Sequence, residues 1–285
     1  MNFKYSQAFS RNLGILTKDE QICLSQTKIG IAGMGGVGGE YLISLVRMGI
    51  QSFKICDIDH FEIANFNRQF GANCSSINKL KTKTMMDMAL QINPRCQIKI
   101  YNEPITSLNA KHFVEGCDLV IDGMDFFALE AHEVLINESL NQKKVVVAAV
   151  PLGFGASIIA FHHQHMSFSD FFNFKQAKND EEKALLFALG FGVGSYHTKY
   201  IDKNYIQIRN KKGPSIIPGI KASVGLICTS IVKSLLWPHE IKYSPHVVHL
   251  DFRLLKVKRK LLMFGNRGWL QKLKFFIAKK IYLKG

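Results

Sequence analysis

Lys28-Ile29-Gly30-Ile31-Ala32-Gly33-Met34-Gly35-Gly36-Val37-Gly38-Gly39-Glu40 is the stretch whose reading decides the fold. Its first five residues form a short apolar run of the kind that makes a buried parallel strand. A glycine-rich turn follows, and from Glu40 to Met48 apolar residues recur at helical spacing: Tyr41, Leu45 and Met48, with Leu42 and Val46 beside them. A second strand over 53–56 stops at Asp57-Ile58-Asp59 and completes a strand–helix–strand unit.

The alternation continues outward from this unit. A helix over 80–92 stops at Asn93-Pro94, because the residue before a proline is biased away from the helical region. A strand over 97–101, a short helix over 109–115, an apolar strand over 118–122, a helix over 127–141 and an apolar strand over 144–150 follow. This order predicts an α/β chain with a Rossmann-like doubly wound, mostly parallel sheet, helices on both faces and ligand at the carboxyl ends of the strands. After Pro151 the pattern gives a strand over 156–161 and an aromatic-rich connection over 166–174. A helix over 180–189, a Gly/Pro-rich stretch over 213–219, an apolar helix over 220–237 and a strand over 247–255 come next. The expected organisation is a helical lead-in (1–26), a nucleotide-binding core (27–165), a C-terminal part of the same domain (166–255) and a basic tail (256–285).

At 285 residues, with 47% hydrophobic and 21% charged side chains, the chain is long and apolar enough to bury a large core, which excludes a wholly disordered or collagen-like protein. Lys and Arg number 37 against 22 Asp and Glu, a net charge of +15. From Asp251 onward there are eleven basic residues and one acid, so +10 of that charge sits in the last 35 residues. Six cysteines are spread without a Cys-x-x-Cys pair, as in a reducing compartment, and the first residues show no basic-then-apolar leader; the expectation is a cytoplasmic protein.

Gly33-x-Gly35-Gly36-x-Gly38 between strand and helix lets backbone amides and the helix dipole face a phosphate. Asp57, 22 residues after Gly35, stands where a carboxylate accepts from ribose hydroxyls. Those two features alone describe a NAD-dependent dehydrogenase. The next segment, Asp57-Ile-Asp59-His-Phe-Glu62-Ile-Ala-Asn65-Phe-Asn67-Arg68-Gln69, adds a polar, cationic cluster; Lys81 follows thirteen residues after Arg68, and Asp125 lies 44 after Lys81.

Over about residues 10–160 this combination resembles the E1-like adenylating enzymes, the family of ubiquitin-activating enzymes, ThiF, MoeB and HesA. The resemblance implies that Gly33, Gly35, Gly36 and Gly38 cradle ATP phosphates and that Asp57, with Asp59 beside it, holds the ribose. It implies that Asn65, Arg68 and Lys81, with Gln69 adjacent, contact the triphosphate, and that Asp125 holds Mg²⁺. Phe9-Ser10-Arg11-Asn12 and the helix-like 18–25 look like the family's lead-in, whose arginine, here Arg11, reaches the ATP of a neighbouring subunit in a homodimer. The implied reaction is attack of a carboxylate on the α-phosphorus of ATP, with a ubiquitin-like or sulfur-carrier protein or a peptide as substrate. Cationic groups offset the repulsion between two anions. Phe126 and Glu130 stand where much of the family has asparagine and arginine, which bears on substrate contacts and admits a nucleotide-binding module without turnover. The family's zinc-binding cysteine pairs are missing, so no structural zinc is expected. Pro151-Leu-Gly-Phe-Gly155 looks like a bacterial branch distinct from the molybdopterin and thiamine enzymes, and Asn65-Phe-Asn67-Arg68-Gln69 with Ile92-Asn93-Pro94 is similar to the branch that dehydrates threonylcarbamoyladenosine on tRNA.

Plainer readings stand beside these. Asp59 fits a helix or turn cap as well as a ribose or metal contact. Taken singly, Lys81 and Arg11 read as solvated surface residues. His162, His163 and His165 alternate across strand faces and cannot all converge on one metal ion. Cys228, inside an apolar helix, reads as a packed thiol, with a thioester nucleophile as the alternative. Phe168, Phe171, Phe172 and Phe174 read as core or dimer-interface filling. The tail over 257–284 admits a helix docked on the body, an anionic-membrane-surface helix or a tRNA-binding arm, the first being preferred.

Overall fold

The computed structural model describes residues 3–192 and 196–283; the first two residues of the lead-in and the last two of the basic tail lie outside the described residues. The chain opens with α1 (Tyr5–Ala8) and α2 (Lys18–Gln26). Thr17 accepts from the Glu20 N–H while the Glu20 carboxylate accepts from the Thr17 N–H, so a capping box starts α2. Strand β1 (Lys28–Ala32), α3 (Gly38–Arg47) and β2 (Ser52–Cys56) form the first crossover. Then come α4 (Lys81–Ile92), β3 (Gln97–Tyr101), α5 (Ala110–Val114), β4 (Leu119–Asp122), α6 (Leu129–Asn141) and β5 (Val145–Leu152).

The eight-stranded sheet has the order β3-β2-β1-β4-β5-β6-β7-β8. The first five strands are parallel, β2 to β5 each following a helical crossover, while β6 (Gly155–Phe161), β7 (His246–Asp251) and β8 (Lys256–Leu261) run antiparallel. The chain builds outward from β1 to β3 and then returns to place β4 on the other side of β1. That reversal opens a crevice beyond the carboxyl ends of β1 and β4, the usual ligand position in such sheets.

Two cores cover the two faces of the sheet. One gathers Leu42, Leu45 and Val46 of α3, Met85 of α4 and Ile220, Ile227 and Ile231 of α9 (Ile217–Leu236). The other gathers Phe113 of α5, Leu135 of α6 and the phenylalanines of α7 (Phe168–Phe172) and α8 (Asp180–Phe191). Phe168, Phe171, Phe172 and Phe174 are buried within one protomer, with the Phe172 and Phe187 rings 4.9 Å apart, so they fill the core. Helix α9 is long and apolar enough to cross a membrane, yet half of it is buried between the sheet and α3, which makes it a core helix.

The stretch read as a strand over 247–255 ends at Asp251, and 256–261, placed in the tail from sequence, returns beside it as β8. Lysines at every second position in Lys256-Val-Lys-Arg-Lys-Leu261 suit an exposed edge strand, where they discourage further pairing. The chain closes with α10 (Trp269–Tyr282), which packs on α8.

Candidate functional site: a glycine-lined crevice

The ends of β1, β2 and β4 are stitched together at the crevice. The Gly33 N–H donates to the Cys56 carbonyl at 2.7 Å, and the Gly123 N–H donates to the Ala32 carbonyl at 2.8 Å. Gly33 has φ +88°, and a Cβ there would lie 2.3 Å from the Gly123 carbonyl oxygen. A Cβ at Gly38 would lie 1.8 Å from the Gly33 carbonyl oxygen. Both positions therefore require glycine, the first for the turn and the second for the close approach of α3 to β1.

Gly35 and Gly36 form the open part of the loop. The Gln69 amide nitrogen lies 3.8 Å from where a Gly35 side chain would start; the Arg68 stem lies 3.9 Å, and Ile220 of α9 3.3 Å, from that point at Gly36. The Arg68 stem and the Gln69 amide thus lie beside the loop. Gln69 is buried, its amide oxygen has no hydrogen-bond partner, and its amide nitrogen is the atom that faces the loop. Arg68 is half-buried; its Nη1 donates to the Ala64 carbonyl at 2.8 Å and to Asn67 Oδ1 at 2.9 Å, which fixes the guanidinium's direction.

A chain of charges ties Lys81 to the same loop. Asp57 Oδ2 accepts from the Met34 N–H at 2.6 Å, and Asp57 Oδ1 accepts from the Asp59 N–H at 2.8 Å. Lys81 Nζ then donates to Asp59 Oδ2 at 2.8 Å, with 7% of the lysine side chain and 59% of the aspartate side chain exposed. Asp59 holds Lys81, whose N–H also donates to the Asp59 carbonyl at 3.0 Å. Asn65 shapes the turn before Arg68. It is buried, its Oδ1 accepts from the Glu62 N–H at 3.0 Å and its carbonyl accepts from the Arg68 and Gln69 N–H groups, so it shapes the turn that presents them.

Asp125 lies exposed after β4, its Oδ1 accepting from the Phe127 N–H at 2.9 Å. Sequence reasoning passed over its support. His132 of α6 bonds through Nδ1 to Asp122 Oδ2 at 2.6 Å and through Nε2 to the Asp125 carbonyl at 3.0 Å, with both the imidazole and the Asp122 carboxylate buried. Burial opposes charge on His132, but the adjacent Asp122 carboxylate outweighs it and its pKa is raised. The signal was Asp122 and His132, ten residues apart at the end of a strand and on the next helix. Glu40 of α3 was missed as well: it is buried and paired to Lys221 of α9.

Phe126 packs on Phe127 and Phe187, and Glu130 lies exposed beside an open cleft of about 570 Å³ that Asp180, Glu181, Lys183 and Arg209 also line. Arg11 is exposed, and neighbouring Asn12 donates to the Met48 carbonyl at the far end of α3. A ten-residue helix spans about 15 Å, so Arg11 does not line its own glycine loop. Cys228 is partly buried on α9; burial and the Glu40 charge push its thiol up to about 12, which suits packing rather than nucleophilic attack. The rings of His162, His163 and His165 cluster with Tyr243, and among the described residues no group of three His, Cys, Asp or Glu side chains is placed to hold a metal.

A doubly wound sheet with an anion-accepting glycine loop, a carboxylate at the end of β2 and an Arg–Lys wall defines a nucleotide-binding protein of the E1-like type. The ThiF family profile matches residues 9–263, and the chain belongs to the ThiF family. A probable molybdopterin-synthase adenylyltransferase of Porphyra purpurea is 26% identical over 257 residues, covering 86% of this chain and 62% of the relative. A tRNA threonylcarbamoyladenosine dehydratase of Haemophilus influenzae is 35% identical over 122 residues, 42% of this chain and 47% of the relative. The chain thus spans less than two thirds of the length of these curated relatives. Among solved structures, PaaA is similar with a TM-score of 0.68 at 15% identity, covering 92% of this chain and 75% of that one. Escherichia coli MccB with ATP gives 0.67 at 15% identity, covering 93% and 74%. At those identities the structures show a shared fold.

Proposed function

We propose that the chain is an ATP-dependent adenylyltransferase that activates a carboxylate as an acyl-adenylate. A carboxylate oxygen of the substrate attacks the α-phosphorus; the new P–O bond replaces the one to the β-phosphate, and pyrophosphate leaves. The observation that carries this reading is the Arg68 stem and the Gln69 amide beside Gly36 and Gly35, with Lys81 linked through Asp59 and Asp57 to the Met34 N–H of the same loop. Asp57 keeps acceptor capacity for ribose hydroxyls beyond its two amide bonds. Arg68 and Lys81 offset the charge of the triphosphate and of the leaving pyrophosphate.

Asp125 is the carboxylate that would hold Mg²⁺. One exposed side chain plus phosphate oxygens is an ordinary magnesium donor set, and Asp122 is already committed to His132. The ion would supply charge neutralisation at the phosphates. His132, by fixing the Asp125 carbonyl, orients the loop that carries that carboxylate.

The substrate is the C-terminal carboxylate of a small ubiquitin-like or sulfur-carrier protein or of a peptide. Relatives named for molybdopterin synthase and for a sulfur carrier support this, and a neighbour of the same fold is solved as MccB with MccA. A cytoplasmic homodimer, with Arg11 of each copy serving the nucleotide of the other, accounts for the distance between Arg11 and its own loop. A second reading, dehydration of a tRNA threonylcarbamoyl group through the same adenylate, draws on the 35% identity to the Haemophilus influenzae enzyme.

Pyrophosphate–ATP exchange tests the proposal. Exchange stimulated by a peptide ending in a free glycine carboxylate, and abolished when that carboxylate is amidated, supports protein or peptide activation. Exchange only with threonylcarbamoyl-tRNA selects the second reading. Tight ATP binding without exchange for either acceptor marks a binding module and counts against turnover.

A further inference from the structure

Helix α10 docks on the body through a mixed face of polar groups and Phe275, which packs on the core. Gln271, Lys274, Phe275, Ala278, Lys279 and Tyr282 are its covered or half-covered positions, recurring every three or four residues on one face. Gln271 donates to the Leu189 carbonyl at 3.2 Å and to Asn266 Oδ1 at 3.1 Å, and Lys279 Nζ donates to buried Glu182 Oε1 at 2.5 Å. The opposite face carries Trp269, Leu270, Leu273, Phe276, Ile277 and Ile281, which are 74%, 45%, 50%, 56%, 47% and 47% exposed. A globular helix normally turns such a stripe inward. A continuous exposed apolar stripe on a protein surface marks an interaction site.

The surroundings are cationic. Lys272 flanks the stripe on one side and Lys274 on the other, and Lys280 sits within it, its ammonium 4.3 Å from the Phe276 ring centre. Burial, with Lys260 and Lys258 of β8 nearby, pushes the Lys274 ammonium below the ordinary lysine range, and the β8 lysines lie on an exposed edge strand. The single acid from residue 251 onward, Asp251, is buried and accepts from the Tyr200 hydroxyl at 2.6 Å, so it does not offset these charges.

We propose that the outer face of α10, with the β8 lysines, binds an anionic lipid bilayer surface, holding the enzyme against the membrane as a peripheral protein. Aliphatic stripes gain from entering the acyl boundary, while flanking lysines meet anionic headgroups. A second copy of this face would oppose like charges across a two-fold axis. Nucleic acid would satisfy the lysines but leave Leu270, Leu273, Ile277 and Ile281 without apolar cover. The inference is independent of the chemistry in the crevice.

Flotation of the full chain with vesicles tests it. Binding is expected to vesicles of phosphatidylglycerol and phosphatidylcholine in equal parts, absent with phosphatidylcholine alone, and weakened by salt. The L273E/I277E variant is expected to lose roughly tenfold or more in partition for each side chain changed, with circular dichroism and thermal midpoint unchanged. K258Q/K260Q is expected to lose a few-fold per lysine. A blue shift of tryptophan emission on adding anionic vesicles, absent in W269F, reads the same contact without a disruptive substitution. Failure to float with anionic vesicles, or wild-type partition by L273E/I277E, overturns the proposal. It is equally overturned if tRNA is retained while vesicles are not, or if L273E/I277E only halves the mass in light scattering.

Discussion

At the crevice, Lys81 is turned inward onto Asp59 with 7% of its side chain exposed, whereas on α10 Leu273 and Phe276 lie half exposed above a face docked through Gln271 and Lys279. Charge goes in at one place and hydrocarbon goes out at the other. In both, hydrogen-bonded polar groups fix the geometry, and what is left unpaired marks the surface a ligand can use. Burying Lys81 is tolerable only because Asp59, Asp57 and the Met34 amide continue the chain of bonds. Exposing the α10 stripe gains nothing for the folded monomer.

The comparison breaks first at the glycines. Gly38→Ala forces a Cβ into the Gly33 carbonyl, with an expected loss of about 3 kcal/mol or more in urea-unfolding free energy. Arg68→Ala is expected to lower the pyrophosphate–ATP exchange rate by about 10²-fold or more with little change in thermal midpoint. Lys81→Met should do likewise, and in a double-mutant cycle with Asp59→Asn the two losses should not add, because the side chains are bonded.

His132 sharpens the contrast between held and free charge. Replacing it by Asn leaves the buried Asp122 carboxylate poorly compensated, with an expected cost of about 3 kcal/mol. Because the folded pKa of His132 lies above its ordinary value, its stabilising contribution is full below about pH 6.5 and is lost as pH rises through the raised folded pKa. The wild type should therefore show a fall in urea midpoint over that window that His132→Asn lacks. The smallest effects belong to α10. Lys279→Met is expected to cost about 1 kcal/mol. Since Glu182 is held below its usual pKa chiefly by Lys279, that contribution should vanish as pH falls through the lowered carboxylate range. Leu273→Ser should change stability by less than about 0.5 kcal/mol.

The glycine loop, the strand ends at Asp57 and Asp122 and the spacing of Arg68 and Lys81 were legible because each is local or tied to a period the chain repeats. The turn role of Asn65 was not legible because side-chain type does not tell whether an amide oxygen bonds its own turn, as its bond to the Glu62 N–H shows. His132 and Glu40 escaped because their partners, Asp122 and Lys221, become neighbours only when helices pack. Strand β8 was read as tail because alternating lysines mark an edge strand only once β7 lies beside it.

By itself the sequence determined that a phosphate-accepting turn joins a buried strand to a helix, since only glycine permits that backbone, and that cations follow at fixed intervals. Which way those cations point, which acid holds which base and which side of α10 meets the body were decided by tertiary packing. The reason is physical: periodicity sets what a segment is able to bury, but partners distant along the chain set what it does bury.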